Sequence, residues 1–378
     1  MNVEPPAAAA ELARIRAPLL AAAAAPIDPP SMQPLALILE LCGEAMRERL
    51  FVVQANGGPE AALRPDFTLA AALHHIAAGA AEGRYICEGK AFRAAPPGRS
   101  DEPEEFQQLG LECFDRRDVA RADAETAAVA WRAASAGGRG DLSLIFGDAA
   151  LFLAFLESLG IAEPLRGRLA RALSSPRRLA EALSAAAGPS RPAQGERLAA
   201  LLGALPEVEA AGVLEELWAL AGVEAAGGRS AAEIVHRLAH RAAASEAPRV
   251  TPEEAERIGA YLAIAGQPEA ALAQAATLAG SERRALDAAL AAWERRLAAL
   301  ADEGAPTAAM RLATAFSREF AYYDGVFFEV RSAALGDDRP VAGGGRYDGL
   351  FARLGARLAC GAVGCMVRPA RAVIGTGP

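Results

Sequence analysis

Two runs flanking residue 100 alternate apolar and polar side chains: Arg84–Arg93 (RYICEGKAFR) and Leu109–Phe114 (LGLECF). A period of two turns successive side chains to opposite faces of a sheet. The pair is therefore predicted to form antiparallel strands joined across a long polar connection. Farther along the chain the period changes. Leu286, Leu290, Trp293, Leu297 and Leu300 recur at helical spacing, with Glu294, Arg295 and Arg296 beside them. They predict a helix whose apolar stripe faces a core or a partner. Ser230-Ala-Ala-Glu233 and Thr251-Pro-Glu-Glu254 each fit a capping box, with Pro252 where a first helical turn tolerates it. Strand signals then return. Asp324-Gly325 stands between two aromatic and β-branched runs, which predicts a hairpin. Val341–Asp348 leads into a helix beginning near Gly349.

These textures divide the chain into a mixed part over residues 1–140, an all-helical stretch over 141–305, and a second mixed part over 306–378. A β-containing part that is interrupted and then resumed predicts one α+β domain with a helical insertion.

Bulk properties narrow the function. The chain has 378 residues, 52% of them apolar, enough to bury a sizeable core. A net charge of -8 argues against a large nucleic-acid footprint, because phosphate binding needs a basic face. Lys90 is the single lysine among 39 basic residues, a bias expected of base composition rather than function. The 5 cysteines are odd in number and form no C-x-x-C pair, so neither a disulfide framework nor a zinc site is expected. A reducing, cytoplasmic setting fits. Ala17–Ile27 is uncharged and mostly alanine, but it lacks a separate basic region before it and is too short to span a bilayer. An amphipathic helix is expected there, not a targeting or membrane segment.

Four clusters could carry chemistry: Leu63–Thr68, Lys90–Arg93, Phe106–Glu112, and Tyr322–Glu329 together with Gly344–Gly349. Gln108 and Glu112 lie four apart, so on one strand their side chains share a face. An ammonium or imidazole needs fixed acceptors in a dry pocket, which carboxylates and an amide supply. On spacing alone, Asp66 and Glu112 read more simply as solvated surface acids. His74-His75 fit a helix in the core or at its rim. His236 and His240 are one helical turn apart, but no third ligand accompanies them, so no metal is expected. Gly343–Gly345 lack the Lys-Ser/Thr of a phosphate loop, and a tight turn is expected there.

In this order, LRPDFT, FR…EFQQLGLECF, YYDGVFFE and GGGRYDGL resemble the catalytic domain of histidyl-tRNA synthetase, a class II aminoacyl-tRNA synthetase. The resemblance covers roughly residues 1–135 and 310–378. It implies an antiparallel sheet flanked by helices and a homodimer core, with the Pro29-Pro30 and Gly43-Glu44 region at the dimer interface. It also implies a histidine pocket: Asp66 and Thr68 for the amino group, Gln108 and Glu112 for the amino group and imidazole, and Tyr322, Tyr323 and Tyr347 for the aromatic wall and imidazole contacts. Arg93 and Arg318 match two further arginines of the pattern. The nucleotide half departs from it. Ala94-Ala95-Pro96-Pro97 offers neither acceptor nor cation, and Arg318-Glu-Phe-Ala-Tyr-Tyr323 loses an acid and gains Glu319. Arg368 stands where the pattern has glycine and Ala370 where it has glutamate, although Arg371 is retained. Seven residues follow Arg371, so no anticodon-binding domain and no tRNA partner are expected.

A synthetase-like chain with these departures resembles the regulatory-subunit family of ATP phosphoribosyltransferase. That family implies a short-form catalytic subunit as partner, a hetero-oligomer, histidine as feedback effector in the first step of histidine biosynthesis, and no catalysis or cofactor in this chain. Two other readings stay open. One is a stand-alone synthetase-like enzyme adenylating histidine or a related amino acid for a non-tRNA acceptor, which Arg93, Arg318 and Arg371 would serve. The other is a scaffold without a ligand.

Overall fold

The computed structural model describes residues 2–22, 24–54, 56–115, 118–173, 176–187, 201–202, 205–221, 231, 235, 250–281, 283–316, 322–356 and 360–375. Arg318, Glu319, His236, His240 and most of the Ser230–Glu233 box lie outside them.

The first part runs α1 (Ala9–Ala21), β1 (Ala25–Ile27), β2 (Met32–Pro34), α2 (Leu35–Cys42), β3 (Val52–Gln54), β4 (Glu60–Leu63) and α3 (Thr68–Ala78). It continues with β5 (Gly83–Phe92), β6 (Glu105–Asp115) and α4 (Val119–Ser135). Next come β7 (Leu142–Asp148), α5 (Ala149–Ser158), α6 (Leu165–Ala172), α7 (Pro176–Ala187), α8 (Glu207–Ala221) and α9 (Pro252–Leu262). After these follow β8 (Ala265–Gly266), α10 (Pro268–Ala279), α11 (Arg284–Asp302), β9 (Met310–Ala313), β10 (Val326–Ser332) and β11 (Ala342–Arg346). The last elements are α12 (Gly349–Arg353), β12 (Gly361–Val367) and α13 (Pro369–Ala372).

Nine strands make one sheet in the order β1-β5-β6-β12-β11-β10-β7-β9-β8, and β2-β4-β3 form a small second sheet. From β5 to β7 every neighbouring pair is antiparallel, while the pairs β1–β5 and β7–β9 are parallel. The fold is α+β, a mixed, largely antiparallel sheet flanked by helices.

β6 shows how the sequence builds this sandwich. Its residues Leu109, Leu111 and Cys113 enter the core under α1, α4, α5 and α11, whereas Phe114 joins the core beneath α2 and α3. Gln108 and Glu112 project to the second side, as the period of two requires. Helix α4 can lie close on the sheet because Ala120, Ala124, Ala127, Ala130 and Ala133 are all buried. The α11 stripe is core: Leu286, Trp293 and Leu300 are buried. Thr251 and Glu254 form the predicted reciprocal cap of α9.

Three local expectations are corrected. Helix was expected from residue 141, yet Leu142–Asp148 is a strand between β10 and β9. Covered by strands on both sides and packed on its faces, it has little need of polar alternation. Asp324-Gly325 is not a hairpin turn: the Asp324 carboxylate accepts from the backbone N–H groups of Asp348 and Gly349, and β10 pairs instead with β11. Gly343–Gly345 form strand β11 itself, not a turn. A Cβ on Gly344 would strike the backbone of Gly364 and Cys365, and one on Gly345 would strike Phe327.

Candidate ligand-binding site

A cleft of about 740 Å³ opens beside β6, β11 and β12. Its inner end is lined by Asp66, Thr68, Gln108, Tyr322 and Tyr323, which reach it from three separate stretches of chain. Asp66 precedes α3, and Thr68 is that helix's first residue. The backbone N–H of Thr68 donates to Asp66 Oδ1 at 3.2 Å, and the Tyr322 hydroxyl donates to Asp66 Oδ2 at 2.8 Å. Gln108 is buried, and its carbonyl Oε1 has no hydrogen-bond partner. A buried acceptor in the lining of a cleft is costly unless a ligand or a water supplies the donor.

Glu112 and Tyr347 lie beneath this end rather than in its lining. Glu112 is wholly buried: the Thr68 hydroxyl donates to Oε1 at 2.8 Å, and the Tyr347 hydroxyl donates to Oε2. Burial pushes its carboxyl up to about 8, against the pull of those two hydroxyls and with a further push from Asp66. Burial likewise raises the Tyr322 and Tyr347 phenols. The rings of Tyr322 and Tyr323 sit 4.7 Å apart and those of Tyr322 and Tyr347 5.7 Å apart, giving an aromatic wall. Gly364, on the strand beside β6, leaves the room that Glu112 occupies; a Cβ there would collide with the carboxylate and lie 3.0 Å from the Leu111 carbonyl. Gly364→Ala is expected to destabilise the chain by about 1–3 kcal/mol, measured as a shift in denaturation midpoint.

The outer end carries arginines, but they are matched from within. Arg368 is buried and its guanidinium lies 3.8 Å from the centroid of the Phe106 ring, closing that aromatic face to any other planar group. It donates to Glu4 Oε1 at 2.7 Å and to Glu102 Oε1 at 3.2 Å. Arg371 also pairs with Glu102 and approaches Glu4 at 3.9 Å. Glu4 arrives on an N-terminal strap: its backbone N–H donates to the Glu105 carbonyl at 2.8 Å, and Glu104 N–H donates to the Asn2 carbonyl at 2.8 Å. Burial, with the neighbouring charge of Arg368, pulls Arg371 down to about 10. Burial alone would raise Glu102, but Arg371, Arg368, Arg339 and Arg99 together hold it below the usual carboxylate range. Arg93 lies between the two ends, its Nε donating to the Pro65 carbonyl at 2.9 Å and its guanidinium 5.2 Å from the Phe106 centroid.

Of the residues expected at the site, six line the cleft: Asp66, Thr68, Arg93, Gln108, Tyr322 and Tyr323. Sequence reasoning passed over Glu4 and Glu102. Glu102 is one acid among several in SDEPEEF, and nothing local to Glu4 links it to Arg368, 364 residues away. His75 is a core residue, its Nδ1 2.9 Å from the Tyr85 hydroxyl.

Among the described residues no group of three or more His, Cys, Asp or Glu side chains could hold a metal ion, and no helix is long and apolar enough to cross a membrane.

The chain matches the family model for histidyl-tRNA synthetase over residues 3–226 and 207–369. It is 37% identical over 344 residues to the ATP phosphoribosyltransferase regulatory subunit of Mesorhizobium japonicum, covering 89% of each chain. It is 34% identical to the regulatory subunit of Agrobacterium fabrum, again over 89% of each. In structure it is similar to an ATP phosphoribosyltransferase regulatory subunit/histidyl-tRNA synthetase from Bacillus halodurans, with a TM-score of 0.62 at 19% identity over 98% of this chain and 80% of the other. It is also similar to histidyl-tRNA synthetase from Nostoc, with a TM-score of 0.59 at 16% identity over 96% of this chain and 69% of the other. A class II, histidyl-tRNA synthetase-like fold whose sequence relatives are regulatory subunits places the chain: it belongs to the ATP phosphoribosyltransferase regulatory subunit family.

Proposed function

We propose that this chain binds free histidine in the inner end of the cleft and conveys that signal to a short-form ATP phosphoribosyltransferase catalytic subunit, which it activates. The phosphoribosyl transfer, the first step of histidine biosynthesis, belongs wholly to that partner. The observation that carries the reading is the contrast between the two ends of one cleft. Inside stands an acceptor without a donor, Gln108 Oε1, near the Asp66 carboxylate. Outside, Arg368 and Arg371 are already matched by Glu4 and Glu102. The first arrangement suits an amino acid's ammonium group; the second leaves little unmatched charge on those two arginines for a polyphosphate.

Asp66, Thr68, Gln108, Tyr322 and Tyr323 would contact the ligand, while Glu112 and Tyr347 would act on it through Thr68 and the aromatic wall. Arg93 closes the side toward the outer end. Regulation then needs histidine to bind one state of the assembly more tightly by about 1–3 kcal/mol. The chain itself would form a homodimer within the hetero-oligomer. Met32, Val52 and Val53 are exposed on the small sheet next to the segment that the synthetase resemblance assigns to the dimer interface.

Calorimetric titration of histidine into the purified chain, and into the chain assembled with a short-form catalytic subunit, tests the ligand. Restored and histidine-sensitive phosphoribosyltransferase activity in that mixture tests the role. Histidine-dependent ATP–pyrophosphate exchange by the chain alone would overturn the regulatory reading in favour of a stand-alone adenylating enzyme. Asp66→Asn removes a charge-assisted acceptor worth about 1.5–3 kcal/mol. Histidine affinity is expected to fall between ten- and a hundredfold, to about that range, with the fold intact by circular dichroism.

A further inference from the structure

A buried ion triad lies behind the inner end of the cleft, and neither the family nor the ligand reading accounts for it. Asp123, on α4, is 2% exposed. Its Oδ2 accepts from Arg296 Nε at 3.0 Å and Nη2 at 2.7 Å, its Oδ1 accepts from Arg346 Nε at 2.7 Å, and Arg346 Nη2 lies 2.7 Å from that same oxygen. Arg296 belongs to α11, in the helical layer, and Arg346 ends β11. We infer that Asp123 is a positioning residue for the ligand pocket, holding the turn that carries Tyr347 against the helical layer through Arg346 and Arg296.

The connection onward is unbroken. Arg346 Nη1 donates at 2.8 Å to Asp348 Oδ1, and the same oxygen accepts from Ala362 N–H at 2.7 Å. Tyr347 stands between these two residues, its own N–H donating at 2.8 Å to the Ala362 carbonyl. Its hydroxyl donates to Glu112, which also holds the Thr68 hydroxyl at the cleft. The Arg346 carbonyl accepts from Asp324 N–H at 3.1 Å, one residue beyond Tyr323. Both tyrosine-bearing segments therefore hang from Arg346, and Arg346 hangs from Asp123.

Stability alone is a weak reason for this triad. Buried ions of this kind are often replaced by apolar side chains at no cost, whereas their forked hydrogen bonds fix direction as a hydrocarbon contact cannot. The glycine packed on Arg346 agrees with a geometric role: a Cβ on Gly325 would lie 3.2 Å from its side chain.

The inference rests on the proposed histidine pocket, so the test has one arm with histidine and one without. Asp123→Asn is expected to weaken histidine binding about tenfold in the wild-type background and by less than about twofold in a Tyr347→Phe background, since both act through one contact. In the unliganded chain, carbon-13 NMR of the glutamate carboxyls is expected to show the Glu112 titration midpoint move upward in Asp123→Asn, because the carboxylate loses its Tyr347 donor. Arg296→Lys keeps the charge without the fork, so it and Arg296→Met are both expected to lose these properties, which carries the test if Asp123→Asn does not fold. Additive effects on affinity with an unmoved Glu112 midpoint overturn the role of Asp123. A midpoint that moves in a chain that never binds histidine supports the positioning and overturns the ligand instead.

Discussion

Glu102→Ala is expected to lower the unfolding free energy by about 3–5 kcal/mol, the range for deleting one partner of a buried ion pair. Glu102 accepts from both Arg368 and Arg371, and the three side chains are all buried. Its removal leaves two guanidiniums facing each other with Glu4 alone to share. Glu4 Oε2 is still unpartnered, but that single oxygen cannot replace the two that Glu102 supplies. Denaturant titration of Glu102→Ala, of Arg368→Leu and of the double variant measures the coupling. The double variant is expected to recover much of the loss, because the orphaned charge is then gone. A loss below about 1 kcal/mol, the size of an exposed surface pair, would show that water reaches the cluster and that the outer end of the cleft is open to ligands.

The same cluster shows where sequence reading stops. β5 and β6 were legible because their alternation is local, and because a sheet with two different faces enforces it. Gln108 and Glu112 follow from that alternation without any further information. The α9 cap was legible for the same reason: both of its partners lie within four residues. Strand β7 was not, since Leu142-Ser-Leu-Ile-Phe-Gly-Asp148 runs between two other strands and leads directly into α5. Asp324-Gly325 misled because its aspartate serves a distant turn, 24 residues on, instead of its own. Glu4 and Asp123 lie farther still from what they hold. Asp123 lies 173 residues from Arg296 and 223 from Arg346, and on its own strand of text it is one acid in an alanine-rich helix. Local pattern specifies elements, and the pairings that set the site's charge are tertiary.

The second large effect concerns Glu112, the best-buried acid of the pocket. With its carboxyl at about 8 in the folded chain and 4.5 when unperturbed, the folded state binds one proton more than the unfolded state between those limits. Stability therefore falls as pH rises through that window, by about 1.4 kcal/mol per pH unit and a few kcal/mol in all. Below the window the group is protonated in both states, and above it ionised in both, so the dependence flattens at each end. Glu112→Gln keeps the shape and removes the titration. Denaturant curves from pH 5 to 9 are expected to show the variant gaining on the wild type with rising pH and then holding its advantage. Parallel curves would mean that Glu112 titrates as an ordinary acid and that the pocket floor is wet. Ligand binding gives the opposite pull: an ammonium group placed at Asp66 and Gln108 favours the carboxylate form of Glu112 beneath them. Histidine uptake near pH 7 is then expected to release protons, seen as a binding heat that changes with the ionisation enthalpy of the buffer. In Glu112→Gln that dependence is expected to fall to what the ligand's own groups contribute. If it survives unchanged, the proton comes from elsewhere and Glu112 does not sense the ligand.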